Sequence, residues 1–289
     1  MTPFDSPDFA AHESVHCFAD PATGLRAFVA IHSTARGPAA GGCRFWSYAG
    51  SDAALTDALR LARGMSYKNA LAGLPLGGGK AVVLKPSGDF DRAALFAAFG
   101  RAVDALGGRY VTAEDVGTTV ADMRSIASTT RFVGGLAGHG NVAGGDPSPS
   151  TAWGVSLGLR EAWSHLRGRA AADLAGVRAA LVAGAANNQL ATREDGERLR
   201  RRGILYAPDY VINAGGIIRV ACEYLRQGSE SEVRAHIARI PGTLRTVLEQ
   251  AARESLPTDV VADRLAERAL QAPATAPQSE LPRLRHAHR

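Results

Sequence analysis

The stretch DALRLARGMSYKNALAGLPLGGGKAVV, residues 57–83, decides the fold. Apolar residues recur in its first half at helical spacing, which predicts a helix over residues 54–71, capped by Ser51 and Asp52. In its second half, the glycines at 77–79 predict a loop that leads into a buried strand. A helix followed by a buried strand is typical of domains in which helices cover a sheet.

Strands and helices alternate on both sides of this stretch. The sequence predicts strands over 25–32 and 109–117, helices over 91–106 and 120–127, and a glycine-rich turn over 37–44. This alternation indicates an α/β domain, which we expect to span residues 1–150. No internal repeat is evident.

The remaining residues predict a smaller α/β unit over 151–271. It has a helix over 151–166 with small residues on one side, short parallel strands within 180–184 and 203–216, and three C-terminal helices over 217–226, 230–251 and 258–270. Pro241 is expected to kink or split the second of these helices. Residues 272–289 are rich in proline and basic residues, so we expect a disordered tail.

The composition is that of an ordinary globular protein, with 46% hydrophobic and 21% charged residues. No apolar run is long enough to cross a membrane, and the first residues lack the features of a secretory signal. Cys17, Cys43 and Cys222 are far apart, which argues against a disulfide framework or a zinc site and predicts a cytoplasmic protein. The basic run 198–202 is interpreted as the solvated end of a helix and not as a nucleic-acid site, because no aromatic residues accompany it.

Two lysines and one aspartate are candidates for chemistry. Lys68 lies near the end of the first predicted helix, and Lys80 directly follows three glycines. Burial beside that bare backbone, and a nearby cation, would favour the neutral amine that acts as a general base. The alternative for Lys80 is an exposed side chain on a glycine-rich turn. Asp115 follows a predicted strand and could face a ligand, or could instead cap the helix that begins near Val120.

Six motifs that follow one another in order carry a family resemblance. They are GPAAGGCRFW (37–46), the stretch 57–83, GRYVTAEDVGTTVADM (108–123), GDPSPSTAWGV (145–155), AGAANNQLA (183–191) and GILYAPDYVINAGGII (203–218). Together they closely resemble the amino acid dehydrogenases that act on leucine, valine and phenylalanine, and the valine-type enzymes most of all. The resemblance covers most of residues 20–270. One departure within it is Cys43, which stands where the family usually has threonine.

The resemblance implies NAD-dependent oxidative deamination of a branched-chain or aromatic L-amino acid to its 2-oxo acid. It also implies a homo-oligomer built by an N-terminal substrate and oligomerisation domain, followed by a Rossmann-like domain. By resemblance, Lys68 binds the substrate carboxylate, Lys80 activates water as a free amine, and Asp115 exchanges protons with the substrate nitrogen. Gly41, Gly42, Met65 and Asn187 match substrate-binding residues, and Thr151 and Asn188 match residues near the nicotinamide.

The chain departs from the family in its second half. No segment places the three glycines of G-x-G-x-x-G between a strand and a helix. Residues 174–177 resemble the start of the first cofactor strand, whereas 180–190 resemble a much later strand and loop. We therefore expect an internal deletion that leaves a truncated Rossmann-like domain. There are two alternatives to an active dehydrogenase. The first is a non-catalytic protein, either a pseudoenzyme or a partner subunit of a full-length homologue. The second is a deletion product that folds poorly.

Overall fold

The computed structural model describes residues 3–9, 11–136, 138, 140–166, 179–192 and 194–272. The expected strand start at 174–177 and the basic tail from 273 onward lie outside these residues. Within the described part, no helix combines the length and apolar character needed to cross a membrane.

The N-terminal half is built on a six-stranded mixed sheet. Its strands are β1 (Ser14–Asp20), β2 (Leu25–Ser33), β3 (Ala39–Ala40), β4 (Cys43–Trp46), β5 (Gly77–Leu84) and β6 (Tyr110–Val111). The order is β1-β2-β5-β3-β6, with β4 also paired to β5. Strands β1, β2 and β5 run antiparallel, whereas β3 and β4 run parallel to β5. The α/β fold class predicted from the sequence is confirmed.

Helices cover both faces of this sheet. They are α1 (Ser51–Leu71), α2 (Arg92–Asp104) and α3 (Val120–Ala127). Helix α1 packs on β2 and β5 through a cluster that includes Leu55, Leu59 and Val82. Helices α2 and α3 pack together beneath the other face, around Phe96 and Phe99. The central strand β5 is buried along its whole length.

The glycines at 77–79 do not form the predicted loop, because they are the first residues of β5. A Cβ atom on Gly78 would lie 2.0 Å from the backbone nitrogen of Ser66 in α1, and one on Gly77 would lie 2.0 Å from the carbonyl oxygen of Ser33. Glycine weakens an isolated strand, but here tertiary packing overrides that preference because only a bare backbone allows this approach. The turn predicted over 37–44 is wrong for a similar reason, since it contains β3 and the start of β4.

Several predicted boundaries also change. Ser51 and Asp52 lie inside the first turn of α1, whose N-cap is Gly50 without a side-chain bond. The strand predicted over 109–117 is reduced to β6, and β1 was not predicted. Asp115 is not a helix cap: Thr119 caps α3 by accepting a hydrogen bond from the backbone N–H of Asp122.

The C-terminal half contains a two-stranded parallel sheet and seven helices among the described residues. They are α4 (Ser148–Leu166), β7 (Leu181–Val182), α5 (Glu194–Arg201), β8 (Leu205–Tyr206), α6 (Asp209–Ile212), α7 (Gly215–Tyr224), α8 (Glu230–Ile237), α9 (Ile240–Glu254) and α10 (Thr258–Gln271). The predicted split near Pro241 is confirmed, with Pro241 in the first turn of α9. Small buried residues, among them Gly154, Gly158 and Ala162, line one side of α4 as predicted.

The hydrophobic core of this half is continuous with residues of the N-terminal half, among them Met65, Leu76 and Val111. Ile212, Ile218, Leu244, Val247 and Leu248 are at most 1% exposed, and they belong to one cluster joined by α4 and α7–α10. The arginine run predicted as a solvated helix end lies at the end of α5, where its side chains form ion pairs with Asp195 and Glu197. The division of the chain at residue 150 stays a prediction.

Replacing Gly78 with alanine tests the contact between α1 and β5. The new methyl group would collide with backbone rather than with a movable side chain, so we expect Gly78→Ala to lower the free energy of unfolding by about 3 kcal/mol or more. The matched control is Gly242→Ala in α9, where nothing lies within 4 Å of the added atom and the change should be neutral or stabilising by up to about 1 kcal/mol. Urea unfolding measures both, and equal midpoints would contradict the close packing.

Candidate functional site

A cavity of about 500 Å³ opens between α1, β5 and the loop that follows β7. Its lining includes five of the residues predicted from the sequence: Met65, Lys68, Lys80, Asn187 and Asn188. The two halves of the chain therefore meet at these residues. The volume is within the range of pockets that hold small organic ligands.

Lys80 is buried in the middle of β5, with 2% of its side chain exposed. The alternative of an exposed lysine on a turn is therefore wrong. Its Nζ atom lies 2.9 Å from Oδ2 of Asp115, which also accepts a hydrogen bond from Nε of Arg44 at 3.2 Å. Arg44 in turn pairs with Asp57 at 2.8 Å. A buried carboxylate is thus held between two cations, the arrangement that desolvated charges require.

The charge of Asp115 follows from these neighbours. Burial alone would raise its pKa, but the cations of Lys80 and Arg44 outweigh burial, so the pKa of Asp115 lies below its ordinary value. The carboxylate is therefore ionised at neutral pH. It is in direct hydrogen-bond contact with Lys80, so a proton can pass between the two groups without an intervening water.

Lys68 projects from the last turn of α1 and is 7% exposed. Burial lowers the pKa of Lys68 to about 8; the carboxylate of Asp209 opposes this shift and the ammonium of Lys80 adds to it. Its Nζ atom donates to Oδ1 of Asn187 at 3.3 Å. At neutral pH Lys68 is a buried cation in the cavity wall, with the charge and donors needed to bind a carboxylate.

Gly41 and Gly42 lie between the sheet and this cluster. A Cβ atom on Gly42 would lie 2.7 Å from the Cβ of Asp115, and one on Gly41 would lie 3.0 Å from Cγ of Met65. The hydroxyl of Tyr110 donates to the carbonyl oxygen of Gly41 at 2.6 Å and fixes this segment. The two glycines therefore allow the backbone to pack closely against β5 and Asp115, and neither glycine lines the cavity.

Helix α6 supports the cavity from the other side. Oδ2 of Asp209 accepts a hydrogen bond from the backbone N–H of Asn188 at 3.1 Å, and Oδ1 accepts one from the hydroxyl of Tyr206 at 2.7 Å. Burial raises the pKa of Asp209 above its ordinary value. Asn213, which follows α6, donates from Nδ2 to Oδ1 of Asn187 at 3.0 Å. The asparagine pair 187–188 is thus held by two residues of one short segment.

Thr151 does not line the cavity. It lies in the first turns of α4, where its hydroxyl donates to the carbonyl oxygen of Pro147 at 3.1 Å and faces Gly216. Cys43 is fully buried in the core beneath the sheet, and burial raises the pKa of its thiol, which stays neutral. Cys43 therefore acts as a small core side chain.

Sequence reasoning missed Arg44, Asp209 and Asn213. Arg44 lies in the quoted motif GGCRFW, but its pairing with Asp115 depends on β4 lying beside β5. Asp209 and Asn213 lie in the motif APDYVINAGG, where two polar residues among apolar ones are the available signal. Among the described residues, no group of three or more His, Cys, Asp and Glu side chains could hold a metal ion.

Comparison with known proteins gives consistent similarities. The family model for "Glu/Leu/Phe/Val dehydrogenase, dimerisation domain" matches residues 12–132. A leucine dehydrogenase of Geobacillus stearothermophilus is 36% identical over 352 aligned positions, which take in 96% of this chain and 95% of the relative. A valine dehydrogenase of Streptomyces albus is 38% identical, covering 90% of this chain and 92% of the relative.

Solved structures agree with these relatives. The crystal structure of L-tryptophan dehydrogenase from Nostoc punctiforme is similar with a TM-score of 0.73 and 31% identity, covering 92% of this chain and 97% of that one. The similarity therefore extends over both halves of the chain.

Removing the charge of Arg44 tests its effect on Asp115. Because a nearby cation stabilises the carboxylate, we expect the pKa of Asp115 to rise in Arg44→Met, so that its protonation begins at higher pH than in the wild type. Carbon-13 NMR titration of the aspartate carboxyl groups measures this shift. Arg101→Met, which removes a cation paired with Asp20, is the control and should leave Asp115 unchanged. An unchanged Asp115 titration in Arg44→Met would show that the pair is not formed.

Proposed function

The chain belongs to the Glu/Leu/Phe/Val dehydrogenase family, and from this premise we propose that it acts on L-amino acids, with oxidative deamination of a branched-chain or aromatic amino acid to its 2-oxo acid as the reaction. The observation that carries the proposal is the presence of Lys68 and Lys80 in the wall of one cavity, with Asp115 behind that wall at 2.9 Å from Lys80. We also propose that the domain matched by the dimerisation model assembles the chain into a homo-oligomer.

The roles of the charged residues follow from their positions. Lys68 binds the substrate carboxylate as an ammonium ion, assisted by Asn187. Asp115, which is ionised and lies beside the cavity, accepts a proton from the substrate nitrogen during deamination and returns it in the reverse reaction. Lys80 is proposed as the base that activates water: when its ammonium proton has passed to Asp115 across their 2.9 Å contact, the remaining amine can accept a proton from water, and Asp115 must release its proton before it accepts one from the substrate nitrogen.

Gly41, Gly42 and Met65 shape the place where the substrate lies. Met65 lines the cavity with a flexible apolar side chain, and the two glycines pack as bare backbone against Met65 and Asp115. A branched aliphatic side chain suits such a wall. Because one methylene changes binding by only about 1–3 kcal/mol, several related amino acids are expected to compete for it.

The family implies NAD as the cofactor, and the described residues fit the parts of NAD unequally. Asn188 borders the cavity and could contact a nicotinamide ring, whereas Thr151 lies apart from it. After β7, which ends at Val182, the chain continues through residues 183–192 without a G-x-G-x-x-G turn, and Arg60 binds the carbonyl oxygens of Leu190 and Ala191. The described residues therefore do not fit the pyrophosphate and adenosine parts of NAD.

This misfit favours a second candidate function: a ligand-binding pseudoenzyme, or a subunit that joins a full-length homologue. The alignment with the leucine dehydrogenase runs over 352 positions, more than the 289 residues of this chain, which supports an internal deletion. The hydrophobic core of the C-terminal half supports a folded protein rather than a poorly folded product.

Binding of a 2-oxo acid should depend on the charge of Lys68. Because its pKa is about 8 and the ammonium form binds the carboxylate, affinity for 4-methyl-2-oxopentanoate should be highest below pH 8 and fall as the pH rises through that value. Lys68→Met should bind about 10- to 100-fold more weakly at pH 7 and lose this dependence. Calorimetry measures both. Lys85→Met, on an exposed lysine outside the cavity, should behave as wild type; equal loss in both variants would contradict the assignment.

Titration with NADH separates the two candidate functions. A self-sufficient dehydrogenase should bind NADH with a dissociation constant near or below about 1 mM, equivalent to about 4 kcal/mol, and should produce NADH from branched-chain amino acids. A pseudoenzyme or partner subunit should bind the 2-oxo acid and show no saturable NADH binding. From the misfit above, we expect the second result for the isolated chain. Turnover restored on adding a full-length homologue would identify a partner subunit.

A further inference from the structure

The orientation of the Asn187 side chain is set by two donors. Its Oδ1 atom accepts a hydrogen bond from Nζ of Lys68 at 3.3 Å and another from Nδ2 of Asn213 at 3.0 Å. An ammonium group and an amide nitrogen can only donate, so the atom that faces both must be the oxygen. The amide nitrogen of Asn187 is consequently turned away from them.

Asn213 has its own orientation fixed by the backbone. Its Nδ2 atom also donates to the carbonyl oxygen of Ala185 at 3.0 Å. If this amide turned over, its oxygen would face two other oxygens, which is unfavourable in a residue that is only 4% exposed. The present orientation leaves Oδ1 of Asn213 buried without a hydrogen-bond partner among the described residues. Burying an acceptor without a partner lowers the stability of the fold. The orientation of Asn213 that donates to Asn187 is therefore kept although it costs stability.

Helix α6 holds this arrangement in place. The backbone N–H of Asn213 donates to the carbonyl oxygen of Asp209 at 2.8 Å, so the asparagine is fixed at the end of the helix. Asp209 also binds the backbone N–H of Asn188 at 3.1 Å. Asn188 adopts a left-handed conformation, with φ of 54°, that asparagine tolerates better than most residues. Asn187 and Asn188 of the loop are thus both held by hydrogen bonds with the segment 209–213.

We propose that Asn213 is a positioning residue, which acts through Asn187 so that the Asn187 amide nitrogen points into the cavity and donates to the substrate carboxylate beside Lys68. The proposal rests on the proposed amino-acid site and extends it by one residue that does not touch the ligand. A carboxylate bound there has an ammonium donor and an amide donor side by side. Both donors are oriented by the same oxygen atom of Asn187, so the loss of Asn213 disturbs both.

A double-mutant cycle on the full chain tests this role. The probe is 4-methyl-2-oxopentanoate, titrated by calorimetry into wild type, Asn187→Ala, Asn213→Ala and the double variant. Each single change is expected to weaken binding about tenfold, as loss of one hydrogen bond to a charged ligand implies. Because Asn213 acts through Asn187, the double variant should be no weaker than Asn187→Ala. If Asn213 only stabilises the fold, the folded Asn213→Ala variant should bind as wild type, and if it acts independently of Asn187, the two losses should multiply to about a hundredfold; either result would overturn the proposal.

The pH dependence of binding gives a second readout. The Asn187 oxygen favours the ammonium form of Lys68, so in Asn213→Ala, where the amide is free to turn, the alkaline midpoint of binding should move to lower pH. The other charged groups that act on Lys68, namely Asp209, Lys80 and Asp115, are the same in every variant. An unchanged midpoint would overturn the proposal.

Two controls keep the outcomes distinct. Asn141→Ala, a change of the same type at an exposed residue outside the cavity, should bind as wild type. If Asn213→Ala does not fold, shown by a lost thermal transition, Asn213→Leu fills the same volume without a donor and should show the same loss and the same non-additivity. If the wild type binds the probe and the two losses multiply, the role proposed for Asn213 is overturned, whereas the amino-acid site is not. A wild type that does not bind the probe would overturn the amino-acid site and this inference with it.

Discussion

At Gly78 the backbone of α1 lies directly against the backbone of β5, and the spacing of the two lysines that line the cavity depends on this contact. Gly78 allows it, since a single methyl group there would lie 2.0 Å from the nitrogen of Ser66. Lys68 is two residues from Ser66 along the helix, and Lys80 is two residues from Gly78 along the strand. The distance between the two cations is therefore set by backbone packing, which is stiffer than any side-chain contact.

Two lysines that are buried near each other need negative or polar partners to compensate for their charge. The partners of Lys68 and Lys80 differ in kind. Lys80 lies 2.9 Å from Asp115, whose charge is also stabilised by Arg44. Among the described residues, Lys68 has the amide oxygen of Asn187 as its one partner within hydrogen-bond distance and a more distant interaction with Asp209, and its pKa is lowered to about 8. A cation compensated by a neutral oxygen retains an unmet attraction for an anion. That imbalance is the physical basis for placing a carboxylate at Lys68 and proton transfer at the Lys80–Asp115 pair.

Sequence alone predicted the fold class and several site residues, and its failures have a common cause. Lys68, Lys80 and Asp115 could be found because each lies beside a local signal: a helix end, a run of glycines, a strand end. The glycines of β5 predict a loop when the sequence is considered alone. They form a strand because α1 packs directly against them. Arg44 and Asn213 were missed because their roles arise from contacts across 71 and 26 residues of chain. Local periodicity carries no information about such pairings.

The C-terminal half supplies several elements that reach α1 and the cavity. Arg63 pairs with Asp263 of α10 at 2.8 Å, the Tyr67 hydroxyl donates to Glu267 of the same helix at 2.8 Å, and Arg60 holds the loop at Leu190. These three residues occupy one face of α1, so the helix that presents Lys68 also joins the two halves. In the proposed function, binding of the amino acid carboxylate and hydride transfer are separate requirements, because the first depends on α1, β5 and α6, whereas the second also needs a cofactor placed in register with them.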